Sequence, residues 1–162
     1  MQQSYGIPTL LIVALGAVVG FVLVVHLFHG GSNGPAYYAA RPALTPGALN
    51  PDVTPATIRQ TICSRGWTKT VRPPSSFTSS LKLVQIRQYG FTGGPTDYQE
   101  DHFISLELGG APNDPKNLWP ERRPRADHVD TIENQLNAQV CSREISLAEG
   151  QRREAEMKWA SG

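Results

Sequence analysis

The 162-residue sequence predicts an α+β domain preceded by an N-terminal transmembrane helix. Three observations lead to this fold class. Residues 9–28 form one long apolar run, residues 129–140 carry apolar side chains at helical spacing, and residues 104–108 alternate between apolar and polar side chains as strands do. With the turn and capping signals between them, these patterns predict the order helix, helix, strand, loop, strand, helix, helix for the domain.

The apolar run, TLLIVALGAVVGFVLVVHLF, is long enough to cross the hydrocarbon core of a bilayer. A cleaved signal peptide has a shorter apolar core and usually a basic start, and no Lys or Arg precedes Arg41. An uncleaved anchor over residues 1–29 is therefore the favoured interpretation, and a signal peptide stays the alternative. Residues 30–55 contain five prolines and four glycines without periodicity, which predicts an extended linker. Residues 56–162 are the predicted soluble domain.

Charge is distributed unevenly along a chain whose net charge is only +1. Residues 56–95 hold six basic residues and no acidic one, and the acidic residues of the domain follow from Asp97 onward. A basic surface of this kind could face phosphates while the carboxylates hold a metal ion. A solvated basic face without a partner is the alternative.

The sequence has two cysteines, Cys63 and Cys141, which can form at most one disulfide. Pairing would indicate an oxidising compartment, and two buried free thiols are the alternative. Arg41 weakly favours a cytoplasmic location for the residues after the anchor. The cysteine pair favours the opposite side, and we expect the domain to lie outside the cytoplasm.

Helix signals dominate the first half of the domain. Thr54-Pro55 predicts the start of a short helix that ends near Cys63, and residues 67–71 are predicted to be extended. A second helix is expected over residues 75–89, with Gly90 as the residue that ends it.

The second half begins with the strand at residues 104–108 and a turn at Gly109-Gly110. A short return strand is expected at residues 117–119, before Pro120, and a helix over residues 125–140. Ser146 has the spacing of a capping residue that opens a last helix ending near Trp159.

The segment EDHFISLELGGAPNDPKNLWPE combines Asp101-His102, a glycine pair and Asn117 with a helix that follows. This arrangement resembles the HNH nuclease family, and specifically a bacterial subgroup with similar Asp-His, Gly-Gly and Asn-Leu-Trp-Pro elements. The flanking ICSRGWTKTVRPP and VCSREISLAEGQ also resemble that subgroup, so the resemblance covers residues 56–159. It implies a ββα-metal fold, in which a hairpin and a helix surround one divalent ion.

The resemblance implies a metal-dependent endonuclease that hydrolyses phosphodiester bonds of DNA, or of nucleic acid generally. His102 would be the general base that activates water, Asp101 a metal ligand, and Asn117 the residue that holds the hairpin loop and orients the histidine. These residue types suit the chemistry, because imidazole accepts a proton near neutral pH and carboxylate oxygens bind hard cations. Adjacent residues of a regular strand point to opposite faces, so the strand must bend or end at Asp101-His102.

A third metal ligand is expected on the helix that follows Asn117. His128 is the histidine available there, but its helical phase points away from the apolar face, and Glu133 points more inward. Either Glu133 or His128 could complete the site. Magnesium or manganese suits an oxygen-rich site, zinc becomes possible if His128 is a ligand, and no organic cofactor is expected.

Basic side chains of the first half could clamp the phosphate, the candidates being Arg72, Lys69 and Arg87. One rival interpretation is a non-catalytic, membrane-tethered module that binds nucleic acid or another partner on a degenerate HNH scaffold. Another is a purely structural domain closed by the disulfide, without metal. The sequence specifies no protein partner.

Overall fold

The computed structural model describes residues 38–160. Their regular elements are α1 (Trp67–Val71), α2 (Ser75–Tyr89), β1 (Tyr98–His102), β2 (Leu118–Arg122), α3 (Arg125–Ser142) and α4 (Leu147–Ala160). This mixture of helices with a small antiparallel sheet confirms the α+β class. The predicted anchor at residues 1–29 lies outside the described residues, and within residues 38–160 no helix is long and apolar enough to cross a membrane.

The sheet consists of β1 and β2 paired antiparallel, from Tyr98 opposite Arg122 to His102 opposite Leu118. Pro120 lies inside β2, opposite Glu100, so the prediction that this strand ends before Pro120 was wrong. A proline is tolerated here because each strand of a two-stranded sheet has one edge without a neighbouring strand. A residue whose nitrogen faces that edge loses no hydrogen bond between strands when it lacks an N–H.

Three helices lie where the sequence predicts them. Helix α2 spans residues 75–89 and ends at Gly90, which adopts the left-handed φ of 64° expected of a terminating glycine. Helix α3 extends two residues beyond its predicted end at Val140. At the start of α4 the Ser146 hydroxyl accepts a hydrogen bond from the Glu149 N–H at 3.1 Å, which confirms the predicted cap.

Two local predictions before α2 were wrong. Residues 55–63 form successive turns, because the Thr57 hydroxyl donates to Asp52 O at 2.7 Å and accepts from Thr54 N at 2.8 Å, which competes with regular helical bonding. Residues 67–71, predicted to be extended, form α1. This helix ends at Val71 because the next residue precedes Pro73 and is therefore driven out of the helical conformation.

The predicted strand at residues 104–108 is instead a buried loop with a short 3₁₀ helix at Leu106–Leu108. Side chains satisfy its backbone where a neighbouring strand would otherwise do so. The Ile104 N–H donates to Asn117 Oδ1 and the Ser105 N–H donates to Glu154 Oε1, each at 2.9 Å. The apolar alternation therefore reflects burial rather than sheet pairing.

The described part of the predicted linker, residues 38–55, packs against the domain. The Arg41 guanidinium donates to Tyr89 O at 2.6 Å, and the Thr45 and Tyr89 hydroxyls lie 2.6 Å apart. Val53 is buried, and Leu49 forms an isolated bridge with Gly110. The compact fold therefore begins well before residue 56, and residues 38–55 are not the extended tether that their composition predicted.

The core lies between α2, the sheet, α3 and α4. Helix α2 packs on both strands, and α3 packs on β2 and on α4. Fully buried side chains at the centre include Tyr89, Phe103, Leu108, Trp119 and Val140. A disulfide between Cys63 and Cys141 joins the turns before α1 to the last turn of α3. These contacts hold the end of β1 against one face of α3.

Candidate functional site

A cavity of about 230 Å³ opens where β1 ends against α3. Its lining is strongly polar and includes Arg72, Asp101, His102, Glu107, Asp130 and Glu133. Asp101 and His102 are neighbours in sequence, yet both line the cavity, and β1 ends at His102. The expectation that the strand ends at this pair is confirmed.

The His102 ring is buried and held by the loop that follows β1. Its Nε2 lies 3.0 Å from the carbonyl oxygen of Pro112. A carbonyl can only accept, so Nε2 carries the proton and Nδ1 is the ring nitrogen with a lone pair. Among the described residues, Nδ1 has no hydrogen-bond partner.

Burial lowers the pKa of His102 below 6.5, and the Pro112 carbonyl and the Asp101 carboxylate offset only part of this effect. The ring is therefore neutral at physiological pH, with a fixed tautomer. A neutral imidazole with one available lone pair is the state that a general base requires.

Asn117 is fully buried and ties the same loop together. Its Oδ1 accepts from Ile104 N at 2.9 Å, and its Nδ2 donates to Ile104 O at 2.9 Å and to Ala111 O at 3.0 Å. Ala111 precedes Pro112, whose carbonyl holds the His102 ring. Asn117 thus acts on His102 through the loop rather than by a direct hydrogen bond.

Three carboxylates meet in the cavity. Asp101, Asp130 and Glu133 each offer one oxygen, and these oxygens lie within 4.8 Å of one another. Oxygens on opposite sides of an ion are about 4.0–4.2 Å apart for magnesium and about 4.6–5.2 Å apart for calcium, so oxygens within 4.8 Å of one another are close enough to share a divalent cation. A donor set made only of oxygen favours magnesium, manganese or calcium over zinc.

The structure separates the two candidates for the third ligand. Glu133 is buried in the cavity wall, whereas His128 is exposed and does not line the cavity. Asp130 was not among the predicted ligands, although it lies one turn before Glu133 on α3 and shares its face. The i, i+3 spacing of the two acidic residues was the signal that could have identified it.

A buried lysine that the sequence analysis missed contacts this acidic group. Lys158 of α4 is fully buried, and its Nζ lies 2.6 Å from Glu133 Oε1 and 3.0 Å from Asp101 Oδ2. The only local signal is the i, i+4 spacing of Glu154 and Lys158, which is equally common on exposed helix surfaces.

The carboxyl groups around Lys158 do not titrate alike. Burial raises the pKa of Asp101, but the Lys158 ammonium, a hydrogen bond with Glu121 and the neighbouring His102 together outweigh burial, and the pKa of Asp101 lies below its usual value. Burial raises the pKa of Glu133 well above its usual value despite its contact with Lys158. Burial and the nearby Asp101 raise the pKa of Glu121 to about 9, and its contact with Arg125 offsets only part of this rise.

The three predicted phosphate-binding residues differ in position. Arg72 follows α1 directly and lines the cavity beside His102 and Asp130. Lys69 and Arg87 are exposed and do not line it. Arg72 is therefore the one of the three that the structure brings to the cavity.

Comparison of the chain with protein-family models, with curated proteins and with solved structures found no match.

Proposed function

We propose that this chain is a divalent-metal-dependent nuclease of the HNH type that hydrolyses phosphodiester bonds in DNA, or in nucleic acid more broadly. One observation carries the proposal: a neutral buried histidine, a carboxylate group spaced for a metal ion and an arginine line the same cavity. The order of β1, β2 and α3 along the chain is also the strand, strand, helix order of a ββα-metal core.

His102 is the general base of this proposal. It would accept a proton on Nδ1 from the attacking water, while the Pro112 carbonyl holds the proton on Nε2 and stabilises the imidazolium that forms. Asn117 keeps the loop, and hence that carbonyl, in place. This arrangement accounts for a buried amide whose hydrogen bonds all go to one loop.

Asp101, Asp130 and Glu133 are the residues that would hold the ion, with magnesium or manganese as the best fit to three carboxylates. A bound ion would neutralise charge on the phosphate and stabilise the leaving oxygen. Because the pKa of Glu133 is raised, protons compete with an ion for this carboxylate more strongly than at an ordinary glutamate, and the affinity for metal should rise with pH.

The substrate phosphate would lie against Arg72, whose guanidinium suits bidentate contact with phosphate oxygens. Two further polar atoms of the cavity wall, Ser105 Oγ and Glu107 Oε2, are buried without a hydrogen-bond partner among the described residues. They are available to water or a ligand. Lys69 and Arg87 could contact phosphates farther along the nucleic acid, outside the cavity.

We also propose that the domain acts at a membrane, outside the cytoplasm. The apolar run at residues 9–28 supports a single-pass anchor. The disulfide between Cys63 and Cys141 supports an oxidising compartment, because such bonds are rare where thiols are kept reduced.

Plasmid cleavage by the full chain, purified in a mild detergent, tests the proposed activity. We expect nicking of supercoiled DNA with Mg²⁺ or Mn²⁺ and none with EDTA. His102→Ala should lower the rate at least about 100-fold, as loss of a general base does. His128→Ala is the matched control, since His128 is exposed and lies outside the cavity, and should cleave like the wild type.

The rival function is a non-catalytic module that binds nucleic acid. It is favoured by Lys158, which already occupies one oxygen each of Asp101 and Glu133 and offsets part of their charge. A mobility shift with DNA in the absence of any metal-dependent cleavage would select the binding module. A chain that neither cleaves nor binds DNA would leave a structural role, and equal losses in both histidine variants would remove His102 as the base.

A further inference from the structure

The Lys158 ammonium sits inside a cage of oxygen atoms. Three carboxylates and one carbonyl surround Nζ: His102 O at 2.5 Å, Glu133 Oε1 at 2.6 Å, Asp101 Oδ2 at 3.0 Å and Glu154 Oε1 at 3.2 Å. Lys158 and Glu154 are both fully buried, and the two other carboxylates are nearly so. Bulk water therefore does not compensate the charges in this cage.

The composition of this cage is that of a cation site rather than of an ordinary ion pair. A surface lysine pairs with one carboxylate in water and gains little stability from it. Here a single ammonium faces three carboxylates that come from β1, α3 and α4. In addition, Glu154 Oε2 is buried without a hydrogen-bond partner among the described residues, which leaves acceptor capacity beyond what Lys158 uses.

The cage shares two residues with the acidic group that would hold the metal ion. Asp101 and Glu133 each use one oxygen for Lys158, and Asp130 does not contact the lysine. Lys158 contacts one oxygen of each shared carboxylate, Asp101 Oδ2 and Glu133 Oε1. The two cation positions are thus adjacent, and the ammonium holds two of the three metal ligands in place.

We propose that Lys158 is a built-in cation that occupies the place of a second divalent ion and positions Asp101 and Glu133 for a single ion. The inference rests on the proposed metal site. It assigns Lys158 a positioning role, since the residue is buried and does not line the cavity. It follows that the wild-type chain binds one divalent ion. A variant in which a small side chain replaces Lys158 should bind two, because the ammonium is gone and its space is empty.

Calorimetric titration with Mn²⁺, together with melting curves in EDTA and in Mn²⁺, tests this role on the full chain. Lys158→Ala removes the charge and leaves space, and Lys158→Met removes the charge but fills the space. Both should melt about 10 °C lower than wild type in EDTA, because buried carboxylates lose their partner. Lys158→Ala should bind two Mn²⁺ ions and recover most of its melting temperature in Mn²⁺, whereas Lys158→Met and the wild type should each bind one.

Lys82→Met is the matched control, because the Lys82 ammonium donates to Tyr98 O and does not contact the cage. It should bind one ion and gain the same Mn²⁺ shift as wild type. A Lys158→Ala chain that folds only in Mn²⁺ would agree with the proposal. One ion and a wild-type Mn²⁺ shift in Lys158→Ala, or no folding at any Mn²⁺ concentration, would overturn it. No Mn²⁺ binding by the wild type would instead remove the proposed metal-dependent function itself.

Discussion

Removing the Asn117 amide should destabilise the domain strongly, because three hydrogen bonds to one loop depend on it. The bonds to Ile104 N, Ile104 O and Ala111 O are 2.9 to 3.0 Å long, and Asn117 is fully buried. Each bond contributes about 1 kcal/mol, and a buried backbone group left without a partner costs about 1–3 kcal/mol. For Asn117→Ala we therefore expect a loss of about 3–5 kcal/mol in the free energy of unfolding, since water can enter part of the space.

Urea denaturation followed by tryptophan fluorescence measures this loss. With a slope of about 2 kcal/mol per molar urea, the midpoint should fall by about 2 M. Asn113→Ala is the matched control, because Asn113 is exposed in the same loop and its truncation should change stability by less than about 0.5 kcal/mol. Asn117→Asp keeps the acceptor for Ile104 N but loses both donors, and should therefore lose at least half as much stability as Asn117→Ala.

The same substitution should reach the chemistry through the Pro112 carbonyl. Under conditions where Asn117→Ala is still folded, its cleavage rate should fall below that of Asn113→Ala, because the His102 ring loses its fixed support. A urea midpoint for Asn117→Ala within about 0.5 M of the Asn113→Ala value, a gap of about 1 kcal/mol, would show that these three hydrogen bonds do not stabilise the loop.

Three further predictions concern titration and the disulfide. The pKa of Glu100 is raised to about 8 from 4.5, so its contribution to stability is present below pH 4.5 and is lost as the pH rises to 8. Glu100→Gln should therefore be more stable than wild type at pH 9, by at most about 5 kcal/mol, and equal gaps at pH 4.5 and pH 9 in urea melts would contradict this. Because burial lowers the pKa of His102, cleavage at saturating Mn²⁺ should reach half its plateau below pH 6.5, and an acid limb above pH 7.5 under that condition would exclude His102 as the base. Replacing Cys63 and Cys141 with serine opens a cross-link between residues 78 apart and should cost about 4 kcal/mol in urea denaturation, and an unchanged midpoint would contradict a stabilising bridge.

Helices with complete local signals could be predicted from the sequence. Helix α2 ends at a glycine, α3 has apolar residues three and four apart, and α4 begins at a serine with capping geometry. In each case the determinant lies within a few residues of the element. The strand that carries Asp101 and His102 was expected to bend or end at that pair for a similarly local reason, because adjacent side chains of a regular strand point to opposite faces.

Elements held by distant groups could not be predicted in this way. Residues 104–108 alternate like a strand, but Asn117 and Glu154 satisfy their backbone and replace sheet pairing. Residues 38–55 have the composition of a linker, yet they pack on Tyr89 and Gly110, which are more than 40 residues away in sequence. No local pattern encodes such contacts.

The residues of the candidate site could likewise be predicted only where a local pattern indicates which way a side chain points. The phase of α3 predicted that Glu133 points more inward than His128, and Glu133 is buried whereas His128 is exposed, because burial follows helical period. It passed over Asp130, which is exposed as a residue and still lines the cavity. The spacing of Glu154 and Lys158 could not predict that Lys158 is buried, because its burial depends on three carboxylates contributed by three different elements.

The proposed function requires that the carboxylate group of Asp101, Asp130 and Glu133 supports catalysis through a divalent ion. We would measure the Mn²⁺-dependent rate of supercoiled DNA cleavage for Asp130→Asn and, as its matched control, Asp127→Asn, since Asp127 is exposed on the same helix and does not line the cavity. The proposed function predicts a rate at least about 100-fold lower for Asp130→Asn, because removing a direct ligand should cost no less than removing its supporting partners. It predicts a wild-type rate for Asp127→Asn. Equal rates in the two variants, or cleavage that persists in EDTA, would contradict it.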